Sequence, residues 1–405
     1  MLKWFKKNYI YILILILAIV GRELFRGEEP KFTFEFSNPI EGDAAMSRLF
    51  VQDDILYMSW VEETDSLAIL KYSTFNGSKW TEPEMIAQGH DWFVNWADFP
   101  TIAVNNGNIF AHYLQKSAPD TYAYDVMYRV FNASNEKWTA PQKLHQDSTK
   151  SEHGFVSVIP YGDGFMASWL DGRTTVNRPD SLKQMTIRAG IIHADGSLGQ
   201  QWELDQRVCD CCSTSITETL DGPMVTYRDR TDDEIRDIYA VRLLEDQTWS
   251  APAAVYNDNW QINGCPVNGP AIASNGMTAV AWFTKPAEMA KVKVAFKGSS
   301  DWFDEVLVLQ DAGAIGRVDV AVDQYANTYV LYMKSFGDMA DLILTHISNT
   351  GERMNHILAS ITAERASGFP QLELFDERAI ISFTDTDSTG SRVRTLAFPY
   401  KSFLE

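Results

Sequence analysis

The chain runs to 405 residues, 45% hydrophobic and 12% aromatic, with 54 acidic against 35 basic side chains and a formal net charge of −19. That apolar share suffices to bury a large core. The acidic excess excludes nucleic acid and an anionic bilayer surface as the main partner, since both would repel it.

Residues 1–30 stand apart from residues 31–405. Lys3, Lys6 and Lys7 precede an unbroken apolar run over residues 9–20. As a helix that run reaches roughly 18 Å, short of a hydrocarbon core of about 30 Å. A basic flank before an apolar stretch of this length reads as a secretory signal or a short signal anchor. No Ala-x-Ala cleavage site follows. The expectation is an exported body, periplasmic or extracellular, with residues 9–20 cleaved or holding it to the inner membrane.

Length alone suggests two or three domains, but the remaining sequence repeats. Short apolar runs end in Trp60, Tyr113, Trp169, Tyr227, Trp282, Tyr332 and Phe383, at intervals of 50 to 58 residues. An alternating segment precedes each run, across turns such as Asn105-Asn106-Gly107 and Asn275-Gly276. Such pairs read as hairpins. Two further strands follow in each unit. The fourth often carries the pattern of Trp80 to Pro83, Trp138 to Pro141 and Trp249 to Pro252. Four strands per unit, seven times over, predict an all-β propeller, with six blades as the alternative if the sixth unit is misdivided. The last unit offers three strands, and residues 31–36 alternate without a unit of their own. They are expected to supply its missing outer strand and close the ring.

The segment from Tyr72 and Ser73 through Asn76-Gly77 to Trp80 resembles a degenerate Asp-box turn, and Phe131 to Trp138 is a looser copy. On these turns and the blade pattern, the chain is similar to the exported propellers of the sialidase superfamily (BNR repeats). The resemblance implies a glycan or small acidic ligand at the mouth of the central channel, with hydrolysis as its enzymatic form. It also implies an arginine triad clamping a carboxylate, a tyrosine nucleophile assisted by a glutamate, and an aspartate acid-base. The sequence departs from the family in its blade count. It also lacks an Arg-Ile-Pro motif, of which Ser47-Arg48-Leu49 is the nearest trace. Tyr227 occupies the position of the core aromatic in every blade and reads as packing.

In a propeller, the loops leading into the innermost strands and those between second and third strands share one face. Candidate ligand arginines on it are Arg173, Arg228, Arg230, Arg236 and Arg317, with Arg48 nearby. Candidate acids are Asp171, Asp229 and Glu234, with Asp98 beside them. Alternating Arg and Asp on one loop also fits a solvated ion-pair network. His90 and His153 are candidates for metal or acid-base work, and Trp92, Trp96 and Trp260 for sugar stacking.

The four cysteines are Cys209, Cys211, Cys212 and Cys265. Pairing all of them would join two of the first three across a strained small loop. One bridge from the cluster to Cys265, with two thiols left over, is easier. Thiols retained near the channel would suit Cu(I) or zinc, although the spacing matches no standard zinc pattern. The cysteines thus read as a structural disulfide, as a metal or redox centre, or as inert thiols. A pure interaction scaffold is the third reading of the whole protein.

Overall fold

The structure, a computed structural model, describes residues 33–179 and 182–400. Seven antiparallel sheets follow one another along the chain, each running from an innermost to an outermost strand. Blade 1 comprises Ala45–Gln52, Ile55–Glu63, Ala68–Phe75 and Glu84–Gly89. The sixth unit forms a complete blade from Ala314–Val322 to Arg353–Thr362, so the six-blade alternative falls away. Blade 2 adds a short fifth strand, Lys137–Trp138.

Turn chemistry explains the hairpins. Asn106 and Gly107 sit at φ 50° and 78°, the doubly positive combination that a tight two-residue hairpin needs. The Asp-box-like turns work through a side-chain oxygen. Asn76 Oδ1 accepts the Ser78 amide at 3.2 Å, and Asn132, Asp195 and Asp246 repeat the bond at 3.0, 2.8 and 3.0 Å. The seven repeating aromatics, Tyr227 among them, are no more than 5% exposed. They pack between neighbouring blades, which is why a bulky residue recurs there.

The ring closes as the sequence predicts. Phe34–Glu35 is the outermost strand of the last sheet, beyond Gly390–Pro399. Phe36 N donates to Thr395 O at 2.8 Å, and Asn38 Nδ2 to Val393 O at 3.0 Å. The closing strand covers the edge that Gly390–Pro399 would otherwise leave open. Residues 9–20, the expected signal or anchor, lie outside the described residues, as do residues 31 and 32. Among the described residues no helix is long and apolar enough to cross a membrane. Every innermost strand contributes to a central cavity of about 660 Å³.

Candidate functional site

At the rim of blades 3 and 4, Arg230, Arg236 and Glu234 come together from among the predicted charges. Val208 ends the outermost strand of blade 3 (Leu198–Val208) by bridging to Asp229 at the end of the second strand of blade 4 (Gly222–Arg228). That bridge sets the cysteine turn beside the charged loop. Arg230 Nη2 donates to Glu234 at 2.8 Å, and its Nη1 reaches Asp210 at 3.2 Å. Arg236 Nη2 donates to Glu234 at 2.7 Å, and its Nη1 to Cys209 Sγ at 3.2 Å. The hydrogen bond from Arg230 outweighs burial and, with Arg236, holds the Glu234 carboxyl at about 2. A carboxylate that acidic is a poor proton carrier near neutrality, so Glu234 acts here as a fixed anion orienting two arginines.

Other predicted residues turn inward. Arg228 is 1% exposed, and each of its three nitrogens donates to a backbone carbonyl: Asn268, Arg236 and Phe283, at 2.9, 2.6 and 2.6 Å. The expected ligand-binding role of Arg228 thus meets a side chain already spent tying blade 4 to blade 5. Arg317 is also buried, donating to Glu364 O, Ser367 Oγ and Gly368 O above the Trp96 ring. Burial lowers its guanidinium to about 10, with Arg365 adding repulsion. Arg48 lines the channel cavity and bonds Gln371, away from this rim.

The predicted acids also sit behind the surface. Asp171 is fully buried; burial pushes its carboxyl up, but Arg173 more than offsets this with bonds of 2.7 Å from Nε and Nη2. Arg173 itself is half-buried and reaches the rim. Burial, reinforced by Asp205, raises Asp229 to about 7, yet Asp229 is itself buried.

Sequence reasoning named Asp98 but missed its partners at Tyr124, the tyrosine itself and Glu152. The Tyr124 oxygen stands 2.9 Å from Asp98 Oδ2 and 2.8 Å from Glu152 Oε1. Burial raises Asp98 to about 7 against bonds from the Phe155 amide and Tyr124. Burial also raises Glu152 to about 8, opposed by the Tyr124 bond and helped by Asp98 and Asp210. One phenolic proton can serve only one carboxylate, so the other carboxyl keeps its proton and donates to the tyrosine oxygen. Asp98 and Tyr124 are buried, while Glu152 is half-buried at the rim. The three come from separate segments with no shared motif; the signal is visible only once blades 2 and 3 are side by side.

A second cluster lies beneath Arg173. The rings of His145 and His153 stack at 3.6 Å, and both face Asp147 Oδ2, at 2.8 and 3.0 Å. His153, expected on a loop leading into an innermost strand, is the buried first residue of that strand, His153–Tyr161, with Nδ1 against the Tyr124 and Ser151 carbonyls. These histidines and Asp125, Asp147 and Asp171 come close enough to hold an ion; Asp147 already bonds both rings and Asp171 bonds Arg173, whereas His145 Nε2 and Asp125 Oδ1 have no hydrogen-bond partner. His90 pairs with Ser66 O on another loop.

The tryptophans divide. Trp260 is buried under Arg228, which removes it from any sugar platform. Trp92 stacks on Tyr113 at 4.3 Å, and Trp96 on Phe369 at 5.8 Å.

Cys211 and Cys265 form a disulfide, with Cα atoms 6.1 Å apart, linking the loops that lead into blades 4 and 5. Cys209 and Cys212 are buried thiols with Sγ atoms 3.2 Å apart. Two of the four expected metal ligands are therefore consumed by the bridge. A guanidinium already lies against Cys209, so the cluster fits Cu(I) or zinc less well than the sequence suggested.

No family model matches the sequence, and no curated protein matches it. Solved structures do resemble the fold. Polysaccharide lyase Uly1 aligns with TM-score 0.58 at 10% identity, over 91% of this chain and 92% of that one. The endosialidase of phage phi92 aligns with TM-score 0.50 at 10% identity, over 91% and 68%. A Trypanosoma rangeli sialidase in complex with sialic acid aligns with TM-score 0.44 at 12% identity, over 75% and 54%. At such identities the likeness is one of architecture: the chain is a seven-bladed propeller of sialidase-like fold.

Proposed function

We propose that the propeller binds an acidic sugar or glycan at the rim of blades 3 and 4. The observation that carries this reading is Arg230. It is half-buried and aimed by Glu234, and its other partner, Asp210, is 46% exposed and so displaceable by a ligand carboxylate. Arg173, aimed by Asp171, offers a second guanidinium on the same rim, and Arg236 adds positive charge behind it. Pre-oriented guanidinium forks suit planar carboxylates. Two structural neighbours, by name a polysaccharide lyase and an endosialidase, support a carbohydrate as the ligand class.

Hydrolysis, the enzymatic form of this reading, would take its proton from Glu152, which keeps one near neutrality and faces the rim. Asp171 and Glu234 then serve as supports for the arginines rather than as proton carriers, and Asp229 is buried behind them. The basic flank and apolar run over residues 9–20 support export and attachment through that segment.

Calorimetric titration with sialyl and uronyl oligosaccharides, alongside a sialoside hydrolysis reporter, tests the proposal. At least tenfold weaker binding is expected for Arg230→Ala. Equal binding by that variant, or none by the wild type to any acidic glycan, refutes it. Copper or zinc held by the cysteines is the competing reading and an outcome of the next test.

A further inference from the structure

The sulfur atoms outside this glycan reading form an arrangement of their own. Cys209 and Cys212 bracket a turn whose central residues are Asp210 and Cys211. The corner positions of such a turn lie within about 7 Å, inside the span a disulfide can bridge. Their Sγ atoms are already 3.2 Å apart, and the sulfurs of Cys209, Cys211 and Cys212 all lie within 4.8 Å of one another. The existing bridge is the exposed member of the set: Cys265 is exposed and Cys211 half-buried, while the two thiols behind them are buried.

An inert buried thiol sits in apolar surroundings. Cys209 instead touches the Arg236 guanidinium at 3.2 Å, and Arg236 is only 4% exposed. That guanidinium favours the thiolate form of Cys209, the sulfur placed nearest to act as a nucleophile.

We infer that these four cysteines form an internal thiol–disulfide exchange site, in which the bridge moves between Cys211–Cys265 and Cys209–Cys212. In the first step the Cys209 thiolate attacks Cys211 Sγ. A Cys209–Cys211 bond forms, the Cys211–Cys265 bond breaks, and the electron pair leaves on Cys265 Sγ. In the second step Cys212 Sγ attacks Cys209 Sγ and expels Cys211 Sγ, which takes the proton that Cys212 gives up. One disulfide is lost and one gained, so no outside oxidant is needed. The result unclips the loops leading into blades 4 and 5 and presents Cys211 and Cys265 as a dithiol to redox partners.

Bridge mapping on the full-length chain tests this inference. The protein is equilibrated in glutathione redox buffers, acid-quenched, alkylated and digested for mass spectrometry, with metal content measured on the same sample. The expected result is a Cys209–Cys212 bridge with Cys211 and Cys265 alkylated, alongside the original form. Cys209→Ser should leave Cys211–Cys265 alone, and Cys212→Ser should trap Cys209–Cys211. Arg236→Gln should slow the exchange at least tenfold with the circular dichroism spectrum unchanged. Wild-type mapping decides even where a variant fails to fold. Cys211–Cys265 as the sole bridge in every buffer overturns the inference, and so does stoichiometric copper or zinc lost in Cys209→Ser.

Discussion

The guanidinium of Arg228 lies 5.0 Å from the ring centroid of Trp260. Both side chains are buried, and their shared position fixes where the charged loop of blade 4 meets the loop entering blade 5. Arg236 is tied to the same contact, its amide donating to Trp260 O at 2.9 Å.

Arg228 is therefore a stability residue. Arg228→Met should destabilise the fold by about 2–4 kcal/mol, because three buried carbonyls lose a charged donor. Thermal denaturation checks this; an unchanged midpoint would show that the three bonds contribute nothing net.

Glu234→Gln should tighten binding of acidic oligosaccharides. The substitution removes the anion that neutralises Arg230 and Arg236 while retaining a side chain of the same shape. A three- to tenfold gain is expected at low salt, shrinking as ionic strength screens the arginines. Calorimetry at two salt concentrations measures it, and a loss of affinity would mean that Glu234 itself contacts the ligand.

The carboxyl pair at Tyr124 predicts a pH signature. Asp98 and Glu152 stand near 7 and 8 in the folded chain, against about 4 when unfolded. The folded state thus holds protons that the unfolded state has lost. This contribution is complete below about pH 4 and disappears as pH rises through 7 to 8. Melting temperature should fall over that range in the wild type and fall less steeply in Glu152→Gln. Parallel profiles would place the protons elsewhere.

Asp147 carries the opposite sign. Burial pushes its carboxyl up, but bonds from His153 and Thr149 hold it far below the usual range. Its contribution is present above about pH 4 and is lost as pH falls below that value. Asp147→Asn should lower stability at pH 7 by about 2 kcal/mol, since both imidazoles lose a charged acceptor. Urea unfolding at pH 7 reads this; equal midpoints would show that the histidines find other partners.

The blade pattern, the seven repeating aromatics and the closing strand were legible in the sequence because each follows from local periodicity and turn chemistry. Asn106-Gly107 announces its hairpin, and Tyr227 announces its burial by standing where Trp169 and Trp282 stand. The excess of cysteine and charge near residues 209–237 was equally plain, as was the preference for one bridge to Cys265. Propeller architecture even indicated the face on which those residues would meet.

Pairing across blades could be decided only by the tertiary structure. Nothing in the run from Tyr227 to Arg230 tells an inward arginine from an outward one. Arg228 turns in because carbonyls of Asn268 and Phe283, far along the chain, need a donor, and Arg230 turns out because Asp210 waits at the rim. Tyr124, Asp98 and Glu152 lie too far apart in sequence for a motif, and they share a proton only because two blades bury them together. Periodicity is a property of a strand and is written along it. Hydrogen-bond satisfaction and desolvation belong to neighbours in space, and they assign each charged residue of this protein to its core or its rim.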